Sequence, residues 1–372
     1  MGRVTVVTPN SAWKAAEAFR LPSAVLGIEA HGDGLIHDTY VVRVGSPAGA
    51  RRFILQRINQ QVFGDPVALM SNIECVADYI ADKAAQASRG SEHLIPRIVQ
   101  TDAGHALLQT EGEAWRMFQY VEGALAVRGP VGTSQAYQIA STFGRFLNVL
   151  LDFPLSLLQD ALPGYRDTRL YLAKLWQTLD QDLLNRASDV GPEMAFVQAR
   201  VEQALRLQQL QQGGSLPIRV IHGDTKWNNV LLDIETGQGA CVIDLDTVMP
   251  GLLLHDIGDC LREALVDAPD DRIAFSQLEL RMVAAITSGF ASSQSLPLTN
   301  VERASIADAV SSITLELGLR FLCDYLAGDV YFRTSYAQHN LHRAQQHFRL
   351  QRRIEEDGRN LQLAAQQCLG KA

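Results

Sequence analysis

The hydrophobic pattern of this 372-residue chain changes period once, near Gly132. Upstream, apolar residues mostly alternate, as in half-buried strands; downstream they recur at three-to-four spacing, as on helix faces. A run of strands followed by a run of helices demands an α+β architecture with two cores, and the chain is long enough to build both. Residues 11–30 read as a helix leading into an extended stretch. Gly32–Val44 is a glycine turn, with Gly32 and Gly34, that feeds a strand. A second turn at Gly45–Gly49 leads to the strand Arg52–Ile58, which completes a hairpin. Val67, Met70, Ile73, Val76, Ala77 and Ile80 predict a helix over 66–88 that starts at Asp65-Pro66. Ile95–Gln100, His105–Gln109 and Trp115–Val121 supply three further strands.

In the second half, Ala136, Ile139, Phe143, Phe146, Leu147 and Leu150 share one helical face. Helices are expected again over 168–187 and 194–211, ending at the breaker Gly213-Gly214-Ser215. Short apolar strands follow at 218–221, 230–232 and 241–245, and 256–367 is nearly all helical. The expected organisation is therefore a small β-rich unit over 1–121 and a larger, mostly helical unit over 122–372, with a hinge at about 119–124.

Hydrophobic residues at 47% and charged residues at 20% describe a soluble globular chain. A net charge of −8 argues against nucleic acid as a partner. It leaves a nucleotide open, because a triphosphate needs only a local nest of donors and a metal. Five cysteines (Cys75, Cys241, Cys260, Cys323, Cys368) are scattered with no Cys-x-x-Cys pair, the pattern of free thiols in a reducing compartment. There is no signal-peptide pattern and no bilayer-length apolar run, so a cytoplasmic protein without a membrane partner is expected. The sequence says nothing of the oligomeric state.

The chemistry gathers in Val220-Ile221-His222-Gly223-Asp224-Thr225-Lys226-Trp227-Asn228-Asn229-Val230-Leu231-Leu232, a polar loop between two apolar strands. Such a loop is a rigid platform for reacting groups. The five-residue step from Asp224 to Asn229 equals the spacing in kinase catalytic loops, where the Asp meets the acceptor hydroxyl and the Asn holds magnesium. Cys241-Val242-Ile243-Asp244-Leu245-Asp246 then brings a carboxylate to the end of another apolar strand. Mg²⁺ takes oxygen ligands and keeps several waters, so Asn229 and Asp244 suit the metal and Asp224 suits the base. Turn residues of the same types are the bland alternative; two such segments in order, each beside apolar strands, outweigh it. Alternation along the strand puts Asp246 on the face of Asp244, as a second carboxylate near the metal or as an acceptor ligand. His222 reads as a hydrogen-bonding shaper of the loop.

From His222-Gly223-Asp224 to Asn229, with Ile243-Asp244 and His255-Asp256, the chain resembles the aminoglycoside phosphotransferase and choline kinase superfamily over nearly its whole length. The resemblance implies a two-lobed protein-kinase-like fold, ATP and Mg²⁺, and an alcohol acceptor. It implies Asp224 as base, Asn229 and Asp244 as metal ligands, and Asp256 as the helix-start residue that supports the loop. Gly34–Tyr40, Phe53–Asn59, Val62–Pro66, Asp244–Gly251, Arg320–Leu326 and Gly328–Phe332 are further similar to N-acetylhexosamine 1-kinases. That likeness implies phosphorylation of the anomeric hydroxyl of GlcNAc or GalNAc, with Arg320 and Tyr331 holding the hexose.

The usual third-strand lysine of this fold is absent, and Leu55-Gln56-Arg57 stands in its place. Strand alignment gives Gln56, while Arg57 would restore the charge from the other face; the choice stays open. Glu74 is the corresponding helix partner or a solvated helix face. Arg320 and Glu316 lie four apart, as an intrahelical pair would. Gln119-Tyr120-Val121 forms the hinge, where backbone groups of Gln119 and Val121 would meet adenine. Alternatives are a kinase of the same fold acting on an amino alcohol or an aminoglycoside, and a pseudokinase without turnover.

Overall fold

The computed structural model describes residues 9–32, 36–45, 49–86, 94–129, 131–267, 272–292 and 297–369. Gly34 of the expected glycine turn lies outside them, as does the side chain of Cys368. By packing, the chain forms two units. The first comprises Met1–Ala124, Pro154–Pro163 and Ala240–Asp246; the second comprises Leu125–Phe153, Gly164–Gly239 and Thr247–Ala372. The division is thus more than one cut at the hinge, since two later segments return to the first unit.

The first unit contains α1 (Pro9–Glu17), β1 (Val25–Ala30), β2 (Asp38–Val44), β3 (Arg51–Arg57), α2 (Pro66–Gln86), β4 (Ile98–Val99), β5 (Leu107–Thr110) and β6 (Glu113–Gln119). The strands form one antiparallel sheet in the order β1-β2-β3-β6-β4, with β5 on β6. Val42, Val44, Phe53, Leu55, Trp115 and Met117 cover Ala12, Ala15 and Ala16 of α1 on one face. The helix expected over 11–30 stops at Glu17 and β1 follows. Pro22 disfavours helix in the residue before it, and Val25–Ala30 suits a pleat better than a turn of helix. Asp65 starts α2 as expected, its Oδ1 accepting the N–H of Val67 and Ala68 at 3.0 and 2.9 Å.

After β7 (Ala124–Ala126), the second unit is built from α3 (Thr133–Val149), α4 (Thr168–Gln181), α5 (Gly191–Gln198), α6 (Val201–Ala204), α7 (Arg206–Gln212), β8 (Arg219–Ile221) and β9 (Val230–Asp233). It continues, past β10 (Gly239–Val242), with β11 (Met249–Gly251), α8 (Leu253–Leu265), α9 (Gln277–Ser292), α10 (Asn300–Ala304), α11 (Ile306–Ala327) and α12 (His339–Leu369). Helix α11 is apolar nearly all round and is packed by α4, α8 and α12, which is why most of it is buried. The helix expected over 168–187 ends at Gln181, where Asp182 turns left-handed (φ 36°). That over 194–211 breaks into α5, α6 and α7. Strand β10 ends at Val242 rather than 245, and β7 and β11, three residues each, are too short for periodicity to show.

Antiparallel sheet in one unit and helices in the other make this the mixed α+β fold that the sequence suggested. Cys75, Cys241, Cys260 and Cys323 are free thiols. No helix among the described residues is long and apolar enough to cross a membrane.

Candidate active site

Strand β8 delivers the Asp224 loop into a set of fixed hydrogen bonds within the second unit. Gly223 is left-handed (φ 82°), and a Cβ there would lie 2.5 Å from the carbonyl oxygen of Thr247, so no other residue fits. Asp256, fully buried in the first turn of α8, accepts the N–H groups of His222 and Gly223 at 2.7 and 2.8 Å. Its own carbonyl accepts Thr225 Oγ1 at 2.6 Å. Burial pushes the Asp256 carboxyl up to about 6, against the pull of His222 and of those two amides. Tyr165 Oη and Arg166 Nη2 donate to the Gly223 carbonyl, at 2.9 and 2.5 Å. The His222 ring is buried edge-on against Phe143 and Phe146, and its Nδ1 accepts the N–H of Asp224 at 3.3 Å. It shapes the loop from behind.

Asp224 projects from this frame. Its Oδ2 accepts Lys226 Nζ at 2.8 Å and Asn229 Nδ2 at 3.2 Å, while Oδ1 takes no hydrogen bond among the described residues. Asn229 Nδ2 also donates to the Asp224 carbonyl at 2.9 Å. The amide is thereby turned so that its Oδ1 remains unengaged among the described residues. One carboxylate oxygen is pinned and the other is presented; one amide oxygen is presented beside it. Lys226, two residues after Asp224, had not been singled out in the sequence.

Asp244 packs with the first unit. It has a φ of 62°, a left-handed conformation that a residue with a Cβ adopts only when its surroundings impose it. The alternation expected between Asp244 and Asp246 does not apply, because β10 has ended and a 3₁₀ turn spans Leu245–Thr247. Asp246 is 5% exposed, with both oxygens engaged. Arg116 Nη1 donates to Oδ1 and Nη2 to Oδ2 (2.8 Å), and His37 Nε2 lies 2.5 Å from Oδ2. Burial would raise this carboxyl, but Arg116 and His37 hold it well below the usual carboxylate range. Both oxygens of Asp246 are thus occupied by Arg116 and His37, where the sequence suggested an open carboxylate.

The two third-strand candidates lie in the same unit. Arg57 is answered by Asp38 Oδ2 (2.5 Å) and Glu113 Oε1 (2.7 Å). Gln56, opposite Arg116 in the β3–β6 register, accepts Arg116 Nε at 3.0 Å and donates to Thr39 Oγ1 at 3.1 Å. Glu74 makes no ion pair among the described residues; burial pushes its carboxyl up, with Asp78 adding to the effect. At the hinge, the Gln119 N–H is spent on the Arg97 carbonyl (2.8 Å), while no hydrogen bond among the described residues engages Val121. Arg52 grips Glu122 and lies 4.0 Å from the centre of the Tyr120 ring.

In the second unit the Arg320 guanidinium sits among the rings of Tyr171, Tyr165, Phe332 and Tyr331, 5.2 to 5.7 Å from their centres, with Nη2 3.4 Å from Tyr331 Oη. Burial opposes its charge, but the field of Tyr171, Tyr165, Tyr331 and Glu316 lifts its pKa above the ordinary arginine value. Glu316 does not pair with Arg320; it takes Arg166 Nη1 at 2.9 Å. Asp324 holds the loop that carries Tyr331, accepting the N–H groups of Val330, Tyr331 and Phe332 at 2.9 to 3.0 Å and Asn340 Nδ2 at 2.9 Å. Tyr165 joins the two clusters, since it flanks Arg320 and bonds Gly223. Neither Tyr165 nor Arg166 was marked by any motif.

No three His, Cys, Asp or Glu side chains gather at metal-binding spacing among the described residues. The donors at hand, a presented amide oxygen and single carboxylates, fit a hard ion that keeps its waters and not a zinc centre.

Residues 27–281 match the model of the phosphotransferase enzyme family. Among solved structures, the chain is similar to an amicoumacin kinase in complex with AMP-PNP, Ca²⁺ and Ami (TM-score 0.63, 14% identity, 94% of each chain covered). It is also similar to an aminoglycoside phosphotransferase from Alicyclobacillus acidocaldarius (0.56, 16%, covering 98% of this chain and 97% of that one). A microcompartment-associated aminopropanol kinase follows (0.55, 15%, 96% and 99%). At these identities the likeness is one of fold.

Proposed function

We propose that this chain, which belongs to the phosphotransferase enzyme family, transfers the γ-phosphoryl of ATP to a hydroxyl of a small acceptor at Asp224. The observation that carries this reading is the half-pinned carboxylate: Oδ2 is fixed by Lys226 and Asn229, and Oδ1 is left to receive a proton. The acceptor oxygen attacks phosphorus, the bond to the β-phosphate oxygen breaks, and the acceptor proton passes to Asp224 Oδ1. Asn229 and Asp244 would hold Mg²⁺, which when bound neutralises the phosphate charge. The unengaged backbone of Val121 is the natural partner for an adenine edge.

The acceptor is read as an N-acetylhexosamine, phosphorylated at its anomeric hydroxyl. A half-buried arginine among aromatic rings suits a neutral acceptor with hydroxyl and carbonyl oxygens and disfavours a cationic one. An amino alcohol or aminoglycoside acceptor is the second reading, favoured by the names of the structures with this fold.

ADP release with Mg²⁺ over GlcNAc, GalNAc, glucose, galactose, choline and an aminoglycoside separates the two. Turnover with an N-acetylhexosamine and an acid-labile anomeric phosphate are expected. Turnover with choline or the aminoglycoside alone selects the second reading, phosphate on another hydroxyl contradicts the 1-kinase, and no acceptor-dependent release contradicts both.

A further inference from the structure

The strand that should carry a lysine carries Gln56, and the side chain it orients is an arginine one strand away. Arg116 is 2% exposed and stands inside the apolar run Ala114-Trp115-Arg116-Met117-Phe118. Its Nε is held by Gln56 and its two terminal nitrogens by Asp246, so the fork of donors is matched to that carboxylate. On the other side of the carboxylate, His37 Nδ1 accepts the N–H of Asn59 at 3.0 Å, which leaves the proton on Nε2 facing Asp246. The segment so gripped begins two residues after Asp244. Its other flank is tied where the Val242 N–H donates to the Leu94 carbonyl at 2.8 Å. A left-handed Asp244 with both flanks fastened is a carboxylate whose direction is set by its neighbours.

We infer that Arg116 and Asp246, with Gln56 and His37 behind them, are positioning residues for Asp244. In this reading the buried cation missing from β3 is supplied from β6, and it acts on the metal ligand through Asp246 instead of touching the nucleotide. This rests on the assignment of Asp244 as a metal ligand. Outer contacts of this kind usually change metal affinity by roughly 10–100-fold.

The test is Mn²⁺ binding, by electron paramagnetic resonance, to the full chain with AMP-PNP, beside AMP-PNP binding in EDTA by calorimetry. Arg116→Met and Asp246→Asn are each expected to weaken Mn²⁺ binding about tenfold or more while metal-free AMP-PNP binding stays within about twofold. Arg116→Lys should recover part of the loss, because it keeps a cation against Asp246. If Arg116→Met melts too low to measure, Arg116→Lys and Asp246→Asn carry the comparison at a temperature where both are folded. Unchanged Mn²⁺ affinity in the variants overturns the inference. So does an equal loss of metal-free AMP-PNP binding, which would put Arg116 on the nucleotide itself. Asp244→Ala is the control: if it leaves Mn²⁺ binding intact, the metal assignment fails and not merely the positioning.

Discussion

Asp224 and Asp244 are both carboxylates on irregular backbone, yet they are held in opposite ways. The Asp224 loop is fixed mostly through main-chain groups: Asp256 takes two of its amides, Tyr165 and Arg166 take the Gly223 carbonyl, and Gly223 fits because it lacks a Cβ. The Asp244 turn is fixed by side chains on its flank, Arg116 and His37 on Asp246. Main-chain anchoring survives conservative changes at the surface of a loop; side-chain anchoring rests on one buried ion pair, where loss of either partner leaves a charge uncompensated.

The comparison breaks most visibly at Asp244 itself. With Asp244 proposed as a metal ligand, Asp244→Ala is expected to lower kcat about 10²–10³-fold, because charge developing on the transferred group would lose its metal, and excess Mg²⁺ should restore little. A variant that recovers full rate in high Mg²⁺ would show that other groups hold the ion. Next in size is Asp256→Ala, which strands two buried amides at a cost of about 2–4 kcal/mol. Chemical denaturation should report that loss, and a change within about 0.5 kcal/mol would deny Asp256 its anchoring role.

Asp256 also predicts a pH dependence. Its folded pKa of about 6 lies above the ordinary value of 3.8, so between those values the folded state keeps a proton that the unfolded chain releases. The stabilisation is complete below pH 3.8 and is lost as pH rises through about 6. The slope is at most about 1.4 kcal/mol per pH unit and should vanish in Asp256→Asn. Equal slopes for the two proteins across this window would mean that the carboxyl is ionised throughout. The smallest effect is expected at Tyr331→Phe, which removes one hydroxyl beside Arg320. KM for the acceptor should rise about fivefold with kcat nearly unchanged, consistent with one hydrogen bond of about 1 kcal/mol. A fall in kcat without a change in KM would move Tyr331 from acceptor binding to the chemical step.

The two regions also differ in how far the sequence disclosed them. Asp224 and Asn229 stand in one short stretch between apolar strands, so their grouping needs no tertiary information. Arg116 and Asp246 lie 130 residues apart, and no periodicity pairs residues at that distance. The one available signal was a charge inside an apolar strand run, which breaks the alternation of β6 on both faces. Arg166 was hidden for the same reason, since its partner Glu316 is 150 residues away and Glu316 had a plausible neighbour in Arg320. Strands β2, β3 and β6 and the helices α2 and α3 followed from period alone. Elements of three residues, such as β7 and β11, and the left-handed stops at Asp182 and Asp244 did not, because they are decided by backbone conformation that apolar spacing does not encode.

The central claim is phosphoryl transfer at Asp224. It is tested most directly by acceptor-dependent ADP release from the wild-type chain and Asp224→Asn, with MgATP affinity measured on both. The account predicts a kcat at least about 10²-fold lower in the variant, with MgATP affinity unchanged within about twofold. Near-normal turnover in Asp224→Asn would contradict it.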